Sequence, residues 1–306
     1  MSKIDYDLVI IGAGPAGLTA GMYAARARMN VLLLEKTVPG GQILVTDWIE
    51  NYPGFPEGIS GFDLAEKMKI QAQEMGLEIE TAEVHSLNLS KESKEIVLKD
   101  RSVFAKSLII ASGASPKNLG IGEDKFIGKG VSFCATCDAP FFKDKTVVAI
   151  GGGDTAVQEA LYLTKFAKKV YLIHRRDELR AAKILQERAF ENNKIEIVWD
   201  SVATGVEGFF GVESVKIKNV KTLEEKTIRA DGCFIWVGIL PNASFLNAAV
   251  KTDEFGFILA DIKMQTSVPG VYAAGDVRDT PLRQISTAVG DAAIAALSAE
   301  HFIENY

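Results

Sequence analysis

One local plan occurs twice in this chain at the same spacing, and that repetition restricts the fold more than any other feature. Residues 6–11, Tyr-Asp-Leu-Val-Ile-Ile, read as a buried parallel strand, and Gly12-x-Gly14-x-x-Gly17 follows at once, leading into the amphipathic segment Leu18 to Met29. A second strand is expected at Val31 to Leu34, ending in Glu35. The plan recurs as strand Thr146 to Ile150, then Gly151-x-Gly153-x-x-Ala156, a stretch with Val157, Ala160, Leu161 and Thr164 at helical spacing, and strand Val170 to Ile173. Gly12 to Glu35 and Gly151 to His174 both span 23 residues. Glycines at such a turn let the backbone approach a pyrophosphate, whose charge is favoured by the amides at a helix start. An α/β chain with two nucleotide-binding units is therefore expected.

The two units differ at the end of the second strand. Glu35 stands where a carboxylate accepts bonds from an adenosine ribose. The second copy has His174-Arg175-Arg176 there, with Arg180 expected along the following helix. A carboxylate would repel a 2′-phosphate and guanidinium forks would bind it, so this unit favours NADP over NAD. The alternative is a solvated basic face, because Lys165, Lys168, Lys169, Lys183 and Arg188 lie nearby.

About a dozen residues before Gly151 comes Cys134-Ala135-Thr136-Cys137-Asp138. Thiols two residues apart can close a small disulfide ring, and beside a hydride donor they point to disulfide reduction. Asp138 could supply a proton, although Asp before Ala139-Pro140 equally suits a turn or helix cap. Zinc is the leading structural alternative. A closed site needs four ligands, whereas the chain has three Cys and three His, with His85 and His301 far away in sequence, so no metal site is expected. Cys233, inside Asp231-Gly232-Cys233-Phe234-Ile235-Trp236-Val237, reads as an inert thiol in a buried strand.

The 306 residues, 47% hydrophobic, suffice for two ordinary cores, and a net charge of -6 gives no reason to expect nucleic acid as a partner. Lys3, Asp5 and Asp7 interrupt the amino terminus and Gly12-Ala13-Gly14-Pro15 breaks the apolar run after it, so neither a signal peptide nor a membrane span is expected. A reducing cytoplasm is the default location, where a C-x-x-C pair is more often catalytic than a staple.

The first unit resumes near the end. Gly270-Val271-Tyr272-Ala273-Ala274-Gly275-Asp276 reads as a strand running into a turn whose carboxylate could meet a sugar-like hydroxyl, an ordinary turn being the alternative. A helix over roughly Gln284 to Glu300 follows. Strand Ser107 to Ala111 with Ser112-Gly113-Ala114 reads as the exit from the first unit, and Pro116 and Pro241-Asn242 punctuate the crossings around an inserted domain. Gly40-Gly41-Gln42 and Tyr52-Pro53-Gly54 fall in a long loop after Glu35, where open backbone and a side-chain amide could meet a flavin ring.

With Gly-Ala-Gly-Pro-Ala-Gly at 12–17, Pro-Gly-Gly-Gln at 39–42, Cys-Ala-Thr-Cys-Asp at 134–138, Gly-Gly-Gly-Asp-Thr-Ala at 151–156, His-Arg-Arg at 174–176 and Ala-Gly-Asp-Val at 274–277, the chain resembles the bacterial low-molecular-weight thioredoxin reductases over essentially its entire length. The resemblance implies two Rossmann-like, three-layer ββα domains, with the NADPH domain (117–242) inserted into a discontinuous FAD domain (1–116 and 243–306). It assigns FAD to Gly12, Gly14, Pro15, Ala16, Gly17, Glu35, Lys36, Gly40, Gly41, Gln42, Asn51, Ala111, Gly113, Gly275, Asp276 and the isoalloxazine-contacting segment Arg283, Gln284 and Ile285. It assigns NADPH to Gly151, Gly153, Asp154, Thr155, Ala156, His174, Arg175, Arg176 and Arg180. It further implies a homodimer built through the FAD domains, reduction of the Cys134-Cys137 disulfide through Cys137, attack by Cys134 on the disulfide of thioredoxin, and Asp138 as the acid. A rotation of the inserted domain about 115–119 and 241–245 would let nicotinamide and disulfide alternate at the flavin. The competing readings are an NADPH-dependent flavoprotein serving ferredoxin, flavodoxin or a glutaredoxin-like acceptor, and a non-enzymatic flavin redox sensor.

Overall fold

The computed structural model describes residues 4–46, 49, 51–90 and 93–306, so Lys3 lies outside it. The chain forms two compact units, Met1–Ser115 with Leu240–Tyr306, and Pro116–Ile239.

In the first unit, strand Tyr6–Ile11 pairs in parallel with Val31–Glu35 on one side and Ser102–Ile110 on the other, and Glu78–Thr81 extends the sheet past Val31–Glu35. Ser102–Ile110 changes partner along its length. Its first half takes Lys94–Val97 antiparallel, and its last residues take Val271–Ala273 in parallel. The run from 6 to 11 is apolar without strict alternation because both of its faces are covered. Leu8 and Ile10 pack with helices Pro15–Arg26 and Ile285–Glu304, whereas Val9 and Ile11 join Leu87 and Ile96 from the antiparallel layer. Ala16, Ala20 and Ala24 on one helix and Ala288, Ala292, Ala295 and Ala299 on the other are buried, and such small side chains let the helices sit close to each other.

The second unit repeats the layers. Its parallel sheet runs Ile195–Val198, Lys169–Ile173, Thr146–Ile150, Gly232–Ile235, Val131–Ser132. Val147, Ala149 and Phe234 face helix Asp154–Leu163 through Val157, Ala160 and Leu163. Val148, Ile150, Cys233 and Ile235 face Val206, Val215 and Ile217 of a three-stranded antiparallel sheet. Each unit is thus sheet, helices and β-layer, as the resemblance implies.

Within the first unit the departing and returning segments are tied together. Asn242 donates its backbone N–H to Gly113 O (2.9 Å) and its side-chain amide to Ser112 O (2.9 Å), and Ser112 Oγ donates to Asn242 O (2.7 Å).

Within the long connection after Glu35, Gly41–Val45 form a 3-10 turn, and a side chain on Gly61 would collide with the Ile43 carbonyl. One local expectation is corrected. Arg180 precedes its helix, which begins at Lys183. The chain stays extended there because Arg180 N donates to Gly152 O (2.7 Å) and Ala182 N to Asp154 Oδ1 (2.7 Å). Among the described residues no helix is long and apolar enough to cross a membrane.

Candidate active site

The first unit holds a cleft of about 400 Å³ at the carboxyl ends of its central strands. Gly12, Gly14, Pro15 and Ala16 form one wall, Glu35 and Lys36 a second, and Gly41, Gln42, Ala111, Gly113, Asp276, Gln284 and Ile285 complete it. Gly12 has φ +100°, and a Cβ there would lie 2.5 Å from Ala111 O, so only glycine fits. Helix Pro15–Arg26 is capped by Gly14 without a side-chain bond, which leaves its first amides for a ligand. The remaining residues named for this site support it from behind. A side chain on Gly17 would strike the Gly12 carbonyl, Gly40 backs onto Leu44 and Ala65, and Gly275 packs on Ala16 and Ala288. Asn51 Nδ2 donates to Gln284 Oε1 (3.0 Å), and the Arg283 guanidinium lies 4.1 Å over the Phe257 ring and bonds Asp276 O (3.4 Å).

Glu35 is buried and fixed at both oxygens: Oε2 accepts Ala13 N (2.8 Å), and Oε1 accepts Thr37 N (3.0 Å). Asp276 sits at the head of the 3-10 turn Gly275–Val277. Burial pushes its carboxyl up to about 6; Arg283 works against that rise and Asp291 adds to it. The charge of Asp291 is itself held in a two-pronged pair with Arg278 (2.7 and 3.0 Å).

The second unit has its own cleft, about 270 Å³, lined by Gly151, His174, Arg175 and Arg180 among others. Gly153 caps helix Asp154–Leu163 without a side-chain bond, again leaving free amides at the turn. The His174 ring is buried, with Nδ1 3.0 Å from Gly151 O, which makes Nδ1 the protonated nitrogen. Burial lowers the His174 pKa and Arg180 and Arg176 lower it further, so the ring is held neutral. Asp154 fixes the 182 amide, Ala156 packs against Gly151, and Thr155 and Arg176 are exposed outside the cleft lining.

In the same unit Cys134 and Cys137 are joined as a disulfide, Cα–Cα 5.4 Å, on the short helix Ala135–Asp138. Ser132 Oγ accepts from Cys134 N (3.1 Å), Trp236 Nε1 donates to Phe133 O (3.0 Å), and Thr136 Oγ1 lies 3.3 Å from Cys134 Sγ. Asp138 closes that turn with its N–H on Cys134 O (3.2 Å). Cys233 is fully buried, and burial, reinforced by Glu123, pushes its thiol up to about 12, which leaves it inert at neutral pH.

Sequence reasoning missed several residues. Ser115 and Asn242 line the first cleft, where Gln42 Nε2 donates to Ser115 Oγ (3.3 Å) and Ser115 Oγ donates to Asn242 Oδ1 (3.0 Å). Lys117, Ser201 and Trp236 line the second. Gly152 was hidden between the two motif glycines, yet a Cβ there would enter the His174 ring. The Gly-Gly-Gly run was the available signal.

A family model described as pyridine nucleotide-disulphide oxidoreductase matches residues 6–292, and the chain belongs to that family. Among its relatives, the thioredoxin reductase of Peptoclostridium acidaminophilum is 45% identical over 306 residues, 98% of this chain and 97% of its own length. The thioredoxin reductase of Bacillus subtilis strain 168 is 45% identical over 302 residues, 98% and 95% of the two chains. The crystal structure of thioredoxin reductase from Streptococcus pyogenes MGAS5005 superposes with a TM-score of 0.93 at 46% identity, covering 98% of this chain and 99% of that one.

Proposed function

We propose that this protein is an NADPH-dependent thioredoxin-disulfide reductase that uses FAD in the first unit, NADPH in the second and the Cys134–Cys137 pair to maintain thiol balance in the cell. The observation that carries this reading is a closed Cys-x-x-Cys disulfide in the same compact unit as a nucleotide cleft lined by two arginines. Overall, NADPH, a proton and the thioredoxin disulfide give NADP⁺ and the dithiol, so electrons and protons balance.

The residues fit both cofactors. Gly14 and Gly41 pack directly on each other, since a Cβ on Gly41 would lie 2.9 Å from Gly14 Cα, and this stretch of cleft wall without side chains would let a pyrophosphate approach the uncapped helix amides. When bound, FAD would supply the carrier that accepts a hydride from NADPH and passes an electron pair to the disulfide. Glu35 and Lys36 would hold the adenosine end, Asp276 the ribityl hydroxyls, and Gln42, Gln284 and Ile285 the ring. Arg175 and Arg180 would grip the 2′-phosphate of NADPH, with Arg176 further out. Cys137 would take electrons from the flavin side, Cys134 would attack thioredoxin, and Asp138 would hold the proton for the departing thiolate.

A homodimer through the first unit is part of the proposal. Tyr23, Ile294 and Leu297 are 42%, 42% and 52% exposed on the two mutually packed helices of that unit, apolar side chains in need of cover. Light scattering should give twice the chain mass. The Cys-x-x-Cys chemistry suits a reducing cytoplasm, which fractionation would check.

Anaerobic titration tests the central claim: a working disulfide takes up about four electrons per FAD, a flavin alone about two. Cys134→Ser should abolish thioredoxin reduction while NADPH still bleaches the flavin. Uptake of two electrons, or turnover in Cys134→Ser, would leave a flavoprotein serving another acceptor.

A further inference from the structure

The Cys134–Cys137 turn is gripped from below by a carboxylate that has no place in the steps above. Glu159 lies on helix Asp154–Leu163, six residues after its cap Gly153. Its Oε2 accepts the Ala135 N–H at 2.8 Å, and the Thr136 amide faces the same carboxylate. These are the first two amides of the helix that carries the cysteines. Left open, such amides stabilise a neighbouring thiolate and make its disulfide easier to reduce.

Here a carboxylate occupies them and adds its own negative charge one residue from Cys134. The side chain is half-buried. Burial raises its pKa, and the two amide bonds oppose the rise by favouring the ionised form. Asp138, on the same turn, is a second acidic group, adjacent to Cys137 in the chain. A second contact acts the opposite way, since Thr136 Oγ1 is within 3.3 Å of Cys134 Sγ and can donate to it when it becomes a thiolate.

We infer that Glu159 is a positioning residue for the dithiol, withholding the Ala135 and Thr136 amides from Cys134 so that the reduced pair stays a strong electron donor to thioredoxin. The inference rests on the reading that this disulfide is redox-active. Glu159 touches no substrate and acts only through the turn it holds. Its charge and its hold on the start of the turn together disfavour the Cys134 thiolate, which shifts the equilibrium toward the disulfide.

The test uses the FAD-loaded enzyme. Parent and Glu159→Gln are equilibrated anaerobically with dithiothreitol of defined oxidised-to-reduced ratio, acid-quenched and alkylated, and the fraction with free Cys134 and Cys137 is read by mass spectrometry. In that exchange dithiothreitol loses two electrons and two protons and closes its own disulfide, while the protein disulfide gains both. Glutamine keeps the shape and an acceptor but removes the charge, so the equilibrium constant for dithiol formation should rise about tenfold, which is about 30 mV. FAD content and visible spectrum report that the variant is folded. A constant within about twofold of the parent overturns the inference and leaves the proposed function standing; a parent whose cysteines never become reducible overturns both. If glutamine is not tolerated, Glu159→Asp, which withdraws the charge by one methylene, must move the constant in the same direction, and no movement overturns the inference.

Discussion

The two glycine turns, at 12–17 and 151–156, have the same strand, the same spacing and an uncapped helix start, yet they close in opposite chemical senses. In the first, the strand-end residue is an acceptor, and Glu35 takes the Ala13 N–H. In the second it is a donor, and His174 gives its Nδ1 proton to the Gly151 carbonyl. Each side chain fastens its strand back onto its own turn. The spacing therefore sets the architecture, and the residue at the strand end sets what may sit beyond it. On the proposed function, a buried carboxylate would keep a 2′-phosphate out of the first cleft, whereas a neutral imidazole would leave room for the charges of Arg175 and Arg180 in the second.

The largest expected effect separates the two turns outright. Gly12→Ala forces a side chain into a positive-φ position against Ala111 O and should weaken FAD retention by about a hundredfold or more, equivalent to about 3 kcal/mol. Gly151→Ala, crowded by Ala156 and Trp236 O, should keep its yellow colour on desalting and lose flavin bleaching by NADPH in stopped flow. Loss of FAD from Gly151→Ala would show that the units do not bind independently.

A smaller effect sharpens the contrast at the strand ends. Replacing Arg175 or Arg180 by Ala should lower kcat/KM for NADPH by about 30-fold, about 2 kcal/mol, with NADH changed by about twofold or less. Arg176, exposed outside the cleft lining, should cost about threefold at most in the same assay. Equal losses at 175 and 176 would relocate the phosphate.

Protonation offers a third handle. The Asp276 carboxyl, raised to about 6, binds its proton more tightly in the fold than in the unfolded chain, so the associated stability is full at low pH and is lost as pH rises through about 6. Asp276→Asn should therefore stabilise the FAD-free protein at pH 8 by about 1–3 kcal/mol, a difference that shrinks toward pH 4, while weakening FAD binding. Denaturant melts and flavin titrations at both pH values measure the pair of effects.

His174 works in the opposite direction and more gently. Its pKa is lowered by burial, so the unfolded chain binds the proton better and stability falls as pH drops through the ordinary histidine range. His174→Asn should flatten that dependence between pH 7 and 5.5, and an unchanged slope would mean that the loss originates elsewhere.

Much of this was readable from residue order because it was encoded locally. The paired glycine turns and the Cys-x-x-Cys tetrad each lie within a few residues of their own signal. The parts that escaped depend on partners far away in the chain. Asn242 reads as turn punctuation, and its role at the first cleft needs Ser112 and Gly113, some 130 residues earlier. Asp291 carries no local signal in the residue order, and only the fold reveals that it is buried against Arg278 and accepts from Gly275 N. Arg180 was expected on a helix, but tertiary bonds to Gly152 and Asp154 around it overrode helical propensity.

The packing of Gly152 under the His174 ring has a consequence for how such sequences can drift. Volume at one position is unavailable to the other, so a methyl group at 152 is tolerated only in a descendant whose residue at 174 has already shrunk. The change at 174 must therefore come first, and Gly152 cannot gain a side chain by itself without displacing the ring above it.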